Sequence, residues 1–133
     1  MEERKKILII EDNIDWLLYL KACLEEQEYI VITENNLNSA LIRVNSEKFD
    51  FITTNMQLNE LTFDADKLEG WQILNAVGNL NNGSLPPILV ITGFTEDYIK
   101  LKSKKIHSDV LLMDKGRFNR KDFISVISNQ INT

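Results

Sequence analysis

Residues 7–12 read Ile7-Leu8-Ile9-Ile10-Glu11-Asp12, and this stretch decides the fold class. Four consecutive large apolar residues are far too few to cross a membrane and too uninterrupted for a half-exposed strand, so they read as a short strand buried on both faces. The two carboxylates that follow stand where such a strand leaves the core. Comparable apolar runs recur at 30–33, 49–54, 88–92 and 110–113. Stretches with helical spacing lie between them, and a strand-helix alternation of this kind is the pattern of a parallel sheet covered by helices on both sides. The fold class is therefore α/β, a doubly wound parallel sheet of five strands with five helices.

Each helix carries its own signals. Asp12 or Asn13 is placed to cap the first, in which Trp16, Leu20, Cys23 and Leu24 share one face. Ile14, Leu17 and Leu18 form a second apolar cluster that is expected to widen the core stripe. The spacing predicts a second helix over 37–46 with Leu37, Ala40, Leu41 and Val44 inward, and a third over about 68–80. Residues 81–84, followed by Pro86 and Pro87, read as a turn into the fourth strand. Thr95 or Glu96 opens the fourth helix, which ends in the lysine-rich residues 102–105 where cations suit a helix C-terminus. Asn119 is placed to cap the fifth, whose Phe123, Ile124, Val126, Ile127 and Ile131 supply the closing apolar stripe.

Size and charge narrow the function. The 133 residues suit one domain, 1–133, and 44% hydrophobic residues suffice to fill its core. A formal net charge of -5 has the wrong sign for a nucleic-acid binder, and no helix-turn-helix segment is left once the five strand-helix units are assigned. Cys23 is the one cysteine, so no intrachain disulfide can form, and no apolar stretch has the length of a secretory signal or a membrane anchor. A cytoplasmic location with no membrane contact is expected.

In a doubly wound sheet, groups that act on ligands gather at the carboxyl ends of the strands. There the sequence offers Glu11 and Asp12 after the first strand, Thr54 and Asn55 after the third, Thr92-Gly93 after the fourth and Asp114-Lys115-Gly116 after the fifth. Adjacent carboxylates suit a hard divalent cation such as Mg²⁺, and a hydroxyl with an ammonium suits a phosphoryl group. No glycine-rich phosphate loop follows the first strand, and no Cys, His or Ser nucleophile occupies a strand end, which disfavours a nucleotide-binding or phosphatase-like enzyme. An activity as an enzyme is not expected.

Glu11 and Asp12, the strand-three position 55, Thr92 and Lys115 together resemble the response-regulator receiver domain of two-component systems, over about residues 5–131. The resemblance implies the flavodoxin-like strand order 2-1-3-4-5. It also implies Mg²⁺ held by the acidic pair and the strand-three residue, a phosphoryl group accepted from a histidine donor at position 55, and sensing of that group by Thr92 and Lys115. Implied partners are a histidine kinase or phosphotransfer domain docking on the helix-one side, and an output protein or second copy on the face of helix four, strand five and helix five.

Four departures bear on this. Position 55 is Asn55, whose amide nitrogen lone pair is delocalised, so no acyl phosphate can form there. Mg²⁺ binding at Glu11 and Asp12, with Asn55 and the backbone of Gln57, is expected to be weak or absent. The lost charge alone is worth roughly 4 kcal/mol for unit charges about 4 Å apart at an effective dielectric of 20. The segment 57–69 is longer than the usual receiver loop and carries Glu60, Asp64, Asp66 and Glu69, expected as a solvated acidic loop rather than as metal ligands. The resembling family has an aromatic switch residue where Leu112 stands and a proline where Gly116 stands. Asp114 either pairs with Lys115 or points away from it.

The expected reading is thus a pseudo-receiver that signals through protein contacts. The alternative is a conventional phosphorelay receiver whose aspartate at 55 has been replaced by asparagine. Structural roles stand beside these: Glu11-Asp12 as a helix cap, Lys115 paired with Asp12, and Asn55 bonded to Lys115 or to loop backbone. His107 is expected to be exposed and Trp71 to pack in the core.

Overall fold

The apolar run at 7–10 becomes strand β1 (Lys6–Ile10), and all four of its large side chains are buried. The computed structural model describes residues 3–80, 85–94 and 96–131. The expected turn at 81–84 and the expected role of Thr95 lie outside the described residues. The remaining strands are β2 (Ile30–Glu34), β3 (Phe51–Thr54), β4 (Ile88–Thr92) and β5 (Leu111–Asp114). All pairings are parallel and the order is β2-β1-β3-β4-β5. The chain winds outward from β1 to one edge and then from β3 to the other, so the strand ends of β1 and β3 meet at the switch point.

Alternation along the strands divides the interior in two. Leu8, Ile10, Ile52 and Val90 face a core closed by α2 (Leu37–Ser46), α3 (Gly70–Gly78) and α4 (Asp97–Ile106). Ile7, Ile9, Phe51 and Ile91 face a second core, closed by α1 (Ile14–Glu25) and α5 (Arg120–Ile131). Side chains of the central strands are buried on both faces, which is why the runs are nearly continuous, with the buried threonines Thr53, Thr54 and Thr92 only toward the carboxyl ends of β3 and β4. Among the described residues no helix is long and apolar enough to cross a membrane.

Several boundaries differ from the sequence expectation. β3 starts at Phe51 rather than 49, because the Asp50 carboxylate turns aside to accept the Lys6 amide at 2.8 Å. α3 starts at Gly70 rather than 68, after a 3-10 turn over Ala65–Lys67. The widened core stripe of α1 is not realised: Leu17 is buried, but Ile14 and Leu18 are 55% and 56% exposed. They lie one turn apart on the flank of the helix, and a single sheet face cannot cover that much of its circumference.

His107 also departs from expectation. It is buried rather than exposed, at the C-terminus of α4, with its Nε2 3.2 Å from the Pro86 carbonyl of the β4 approach. Trp71 is core as expected, its indole N–H donating to the Ala65 carbonyl at 2.7 Å.

Gly70 opens α3 against the end of β3. Its amide donates to the Met56 carbonyl at 2.7 Å, and a Cβ there would stand 2.5 Å from Met56 Sδ and 2.6 Å from Met56 Cα. Only glycine permits this approach. It joins the two ends of the segment 57–69 at a single point.

Candidate functional site

Parallel pairing brings the strand ends to one edge and fixes their heights. The Asn55 amide donates to the Ile10 carbonyl at 3.1 Å, the Glu11 amide to the Glu34 carbonyl at 3.1 Å, and Thr92 is in register with Asp114. Glu11, Asn55 and Lys115 are thereby joined in one network. Lys115 Nζ donates to Glu11 Oε1 at 2.8 Å, while Asn55 Nδ2 at 3.4 Å and the Asn13 amide at 3.1 Å donate to Glu11 Oε2. Asn55 Oδ1 accepts from the Gln57 amide at 3.4 Å. Glu11 is 2% exposed and Asn55 7%, so this buried side chain depends on its protein donors.

Two structural roles considered from the sequence are corrected here. Lys115 pairs with Glu11 rather than with Asp12, because the Glu11 side chain is the buried member of the acidic pair and has no solvent to neutralise it. The side-chain oxygen of Asn55 binds loop backbone, as one expectation held, and not Lys115: Oδ1 accepts from the Gln57 amide, the Asn55 NH2 donates to Glu11, and the Lys115 ammonium donates to Glu11.

Asp12 caps nothing; the cap of α1 is Asn13, whose Oδ1 accepts the Trp16 amide at 3.1 Å. Burial, then the hydrogen bond and charge of Glu11, push the Asp12 carboxyl up from 3.8 to about 6, with Lys115 opposing. Two carboxylates beside one ammonium leave the cluster short of positive charge. Together with its all-oxygen ligands this fits a hard divalent cation, although Asn55 adds a neutral oxygen where a third carboxylate would bind more tightly.

The other candidates are placed as follows. Thr92 is buried at the end of β4, and its Oγ1 accepts the Phe94 amide at 3.0 Å. Asp114 points away from Lys115: it caps a 3-10 turn over Lys115–Arg117 through the Gly116 amide at 2.9 Å and faces Arg117 at 3.9 Å. Leu112 is half-buried against the α2–α3–α4 core. The acids of 57–69 are used within their own loop where they have partners. Glu69 accepts the Leu58 amide at 2.9 Å and the Thr62 hydroxyl at 2.7 Å, and Asp64 accepts the Asp66 amide at 3.0 Å. Among the described residues, no three His, Cys, Asp or Glu side chains gather as a metal cluster.

One contributor was not anticipated. Trp16, assigned from spacing to the core stripe, is only partly buried, and its ring lies 4.9 Å from Lys115 Nζ, which steers the ammonium between an anion and an aromatic face. The signal available was a tryptophan on the first helical turn after a strand-end acidic pair.

No family model matches the chain, and no curated protein matches it. Solved structures do match, and they define the class: this is the CheY-like, flavodoxin-type receiver fold. A CheY-like response-regulator receiver domain from Methanospirillum hungatei is similar at 22% identity and a TM-score of 0.83, covering 98% of this chain and 95% of that one. The non-phosphorylated HemR receiver domain from Leptospira biflexa has 18% identity and a TM-score of 0.81, with 98% and 96% covered. The receiver domain of a sensor histidine kinase from Pseudomonas aeruginosa, crystallised with magnesium in its active-site cleft, has 18% identity and a TM-score of 0.78, with 98% and 100% covered. At these identities the likeness establishes the fold.

Proposed function

We propose that residues 1–133 form one receiver-like module of a two-component or phosphorelay system, which signals by protein contact and not by accepting a phosphoryl group at Asn55. The observation that carries the reading is the Asn55 carboxamide itself, at the end of β3, donating to Glu11 and accepting from Gln57. An amide so placed holds the strand ends together and offers no nucleophile. Glu11 and Asp12 would hold a weakly bound Mg²⁺, with Asn55 Oδ1 and the Gln57 carbonyl as neutral donors, and the ion would supply neutralisation of charge. Lys115 balances Glu11 without it. Partners of this reading are a histidine kinase, a phosphotransfer domain or an output protein, with a second copy on the α4–β5–α5 face, in a cytoplasmic setting.

The placement of Lys115 and Thr92 at the same edge favours one second reading, a conventional receiver in which asparagine has replaced aspartate at 55. Incubation with Mg²⁺ and acetyl phosphate, followed by intact mass measurement of the parent and of Asn55→Asp, tests both. The parent is expected to stay unmodified. Labelling of Asn55→Asp alone favours the second reading, and labelling of neither favours a module that has lost the chemistry beyond one residue. Labelling of the parent overturns the proposal.

A further inference from the structure

The segment 57–69 projects two of the most exposed large apolar side chains of the described residues, Leu61 at 79% and Phe63 at 77%. It is not slack chain. Gln57 Nε2 donates to the Thr62 carbonyl at 2.6 Å, Asn59 Oδ1 accepts the Leu61 amide at 2.9 Å, and Glu69 clamps Leu58 and Thr62 from the far side. Trp71 fixes Ala65 through its indole N–H. A backbone tied this way holds Leu61 and Phe63 away from the core, and apolar side chains already held in place lose little freedom when a partner covers them.

The surroundings are acidic. Glu60, Asp64 and Asp66 are exposed beside the pair, against Lys67 as the one basic residue of the segment. The acids lie near the first turn of α4, where desolvation and then Asp66, Glu96 and Asp64 push the Tyr98 hydroxyl up, while Lys102, 4.3 Å from the Trp71 ring, is the cation one turn further along α4.

We infer that Leu61 and Phe63, with the exposed acids Glu60, Asp64 and Asp66 next to them along the chain, form a docking surface for a basic amphipathic helix of a partner protein. The apolar stripe of such a helix covers the two side chains while its flanking lysines or arginines meet the acids, and the same field turns away acidic partners. The surface lies outside the Glu11–Asn55–Lys115 network, so it stands whether or not position 55 takes part in signalling.

The test uses the full chain and a short synthetic amphipathic helix of leucine and lysine, with a matched peptide carrying glutamate for lysine. Affinity is measured by fluorescence anisotropy at two salt concentrations. The parent is expected to bind the lysine peptide and not the glutamate peptide. Leu61→Ser with Phe63→Ser should weaken binding about tenfold or more. Asp64→Asn with Asp66→Asn should weaken it and flatten its salt dependence, the carboxamide oxygen at position 64 keeping the turn capped. Equal binding by the serine pair would overturn the inference. So would a serine pair that melts well below the parent, because the side chains would then be packing residues. Sedimentation showing a parent dimer that the serine pair breaks would assign the surface to a second copy and overturn it as well.

Discussion

Lys115 and Glu11, 104 residues apart in the chain, meet at 2.8 Å, and the carboxylate is 2% exposed where the lysine side chain is 21% exposed. The pair is therefore asymmetric. The ammonium retains water and the ring of Trp16, whereas the carboxylate has only protein donors.

Removing the lysine should cost more than a surface ion pair. Lys115→Met leaves a buried carboxylate with two neutral donors, and the expected loss is about 2 kcal/mol, below the range for a fully buried pair because water still reaches this end. Urea unfolding of the single variant and of Lys115→Met with Glu11→Gln checks it. The double variant should recover part of the loss, since no charge is then stranded.

The Asp12 carboxyl contributes to stability in the opposite sense from an ordinary paired acid. Its folded value of about 6 lies above the ordinary 3.8, owing to burial and to Glu11. The folded state thus holds the proton more tightly than the unfolded chain, so this contribution is fully present below 3.8 and is lost as pH rises through about 6. In metal-free protein, Asp12→Asn is expected to be more stable than the parent near neutral pH by about 1 kcal/mol, after allowing for solvent screening. The advantage should vanish in acid. Thermal melts of both proteins across this pH range measure it, and an advantage that persists below 3.8 contradicts the assignment.

Gly70→Ala should be among the more damaging single methyl additions in the chain. The new Cβ would meet the Met56 backbone as well as its sulfur, and backbone cannot swing aside as a side chain end can. The expected cost is about 2–3 kcal/mol, read by urea unfolding, with faster amide exchange in 57–69 as the neck opens.

The sheet was legible because strands buried on both faces leave unbroken apolar runs, and the ends of those runs name the candidate residues. Glu11, Asp12, Asn55, Thr92 and Lys115 all lie at the carboxyl edge for that reason. What the sequence did not carry was side-chain direction. Asp114 and Lys115 are neighbours, yet one caps a turn and the other reaches Glu11, a choice made by the 3-10 geometry after β5. His107 read as exposed because its lysine-rich context is exposed, whereas its partner is a carbonyl 21 residues earlier. The periodicity of α1 could not show which flank the sheet leaves uncovered, and Ile14 and Leu18 lie there.

The closure between Met56 and Gly70 has a wider meaning. Because 57–69 departs from and returns to one place, and its inner residues Gln57, Leu58, Ala65 and Leu68 are tied to Asn55, Trp71 or the core, residues can be exchanged at its exposed tip, 59–64, without shifting β3 or α3. That tip behaves as an interchangeable cassette. Whatever this chain recognises through it can change at its own pace, while the strand-end chemistry beneath is left as it was.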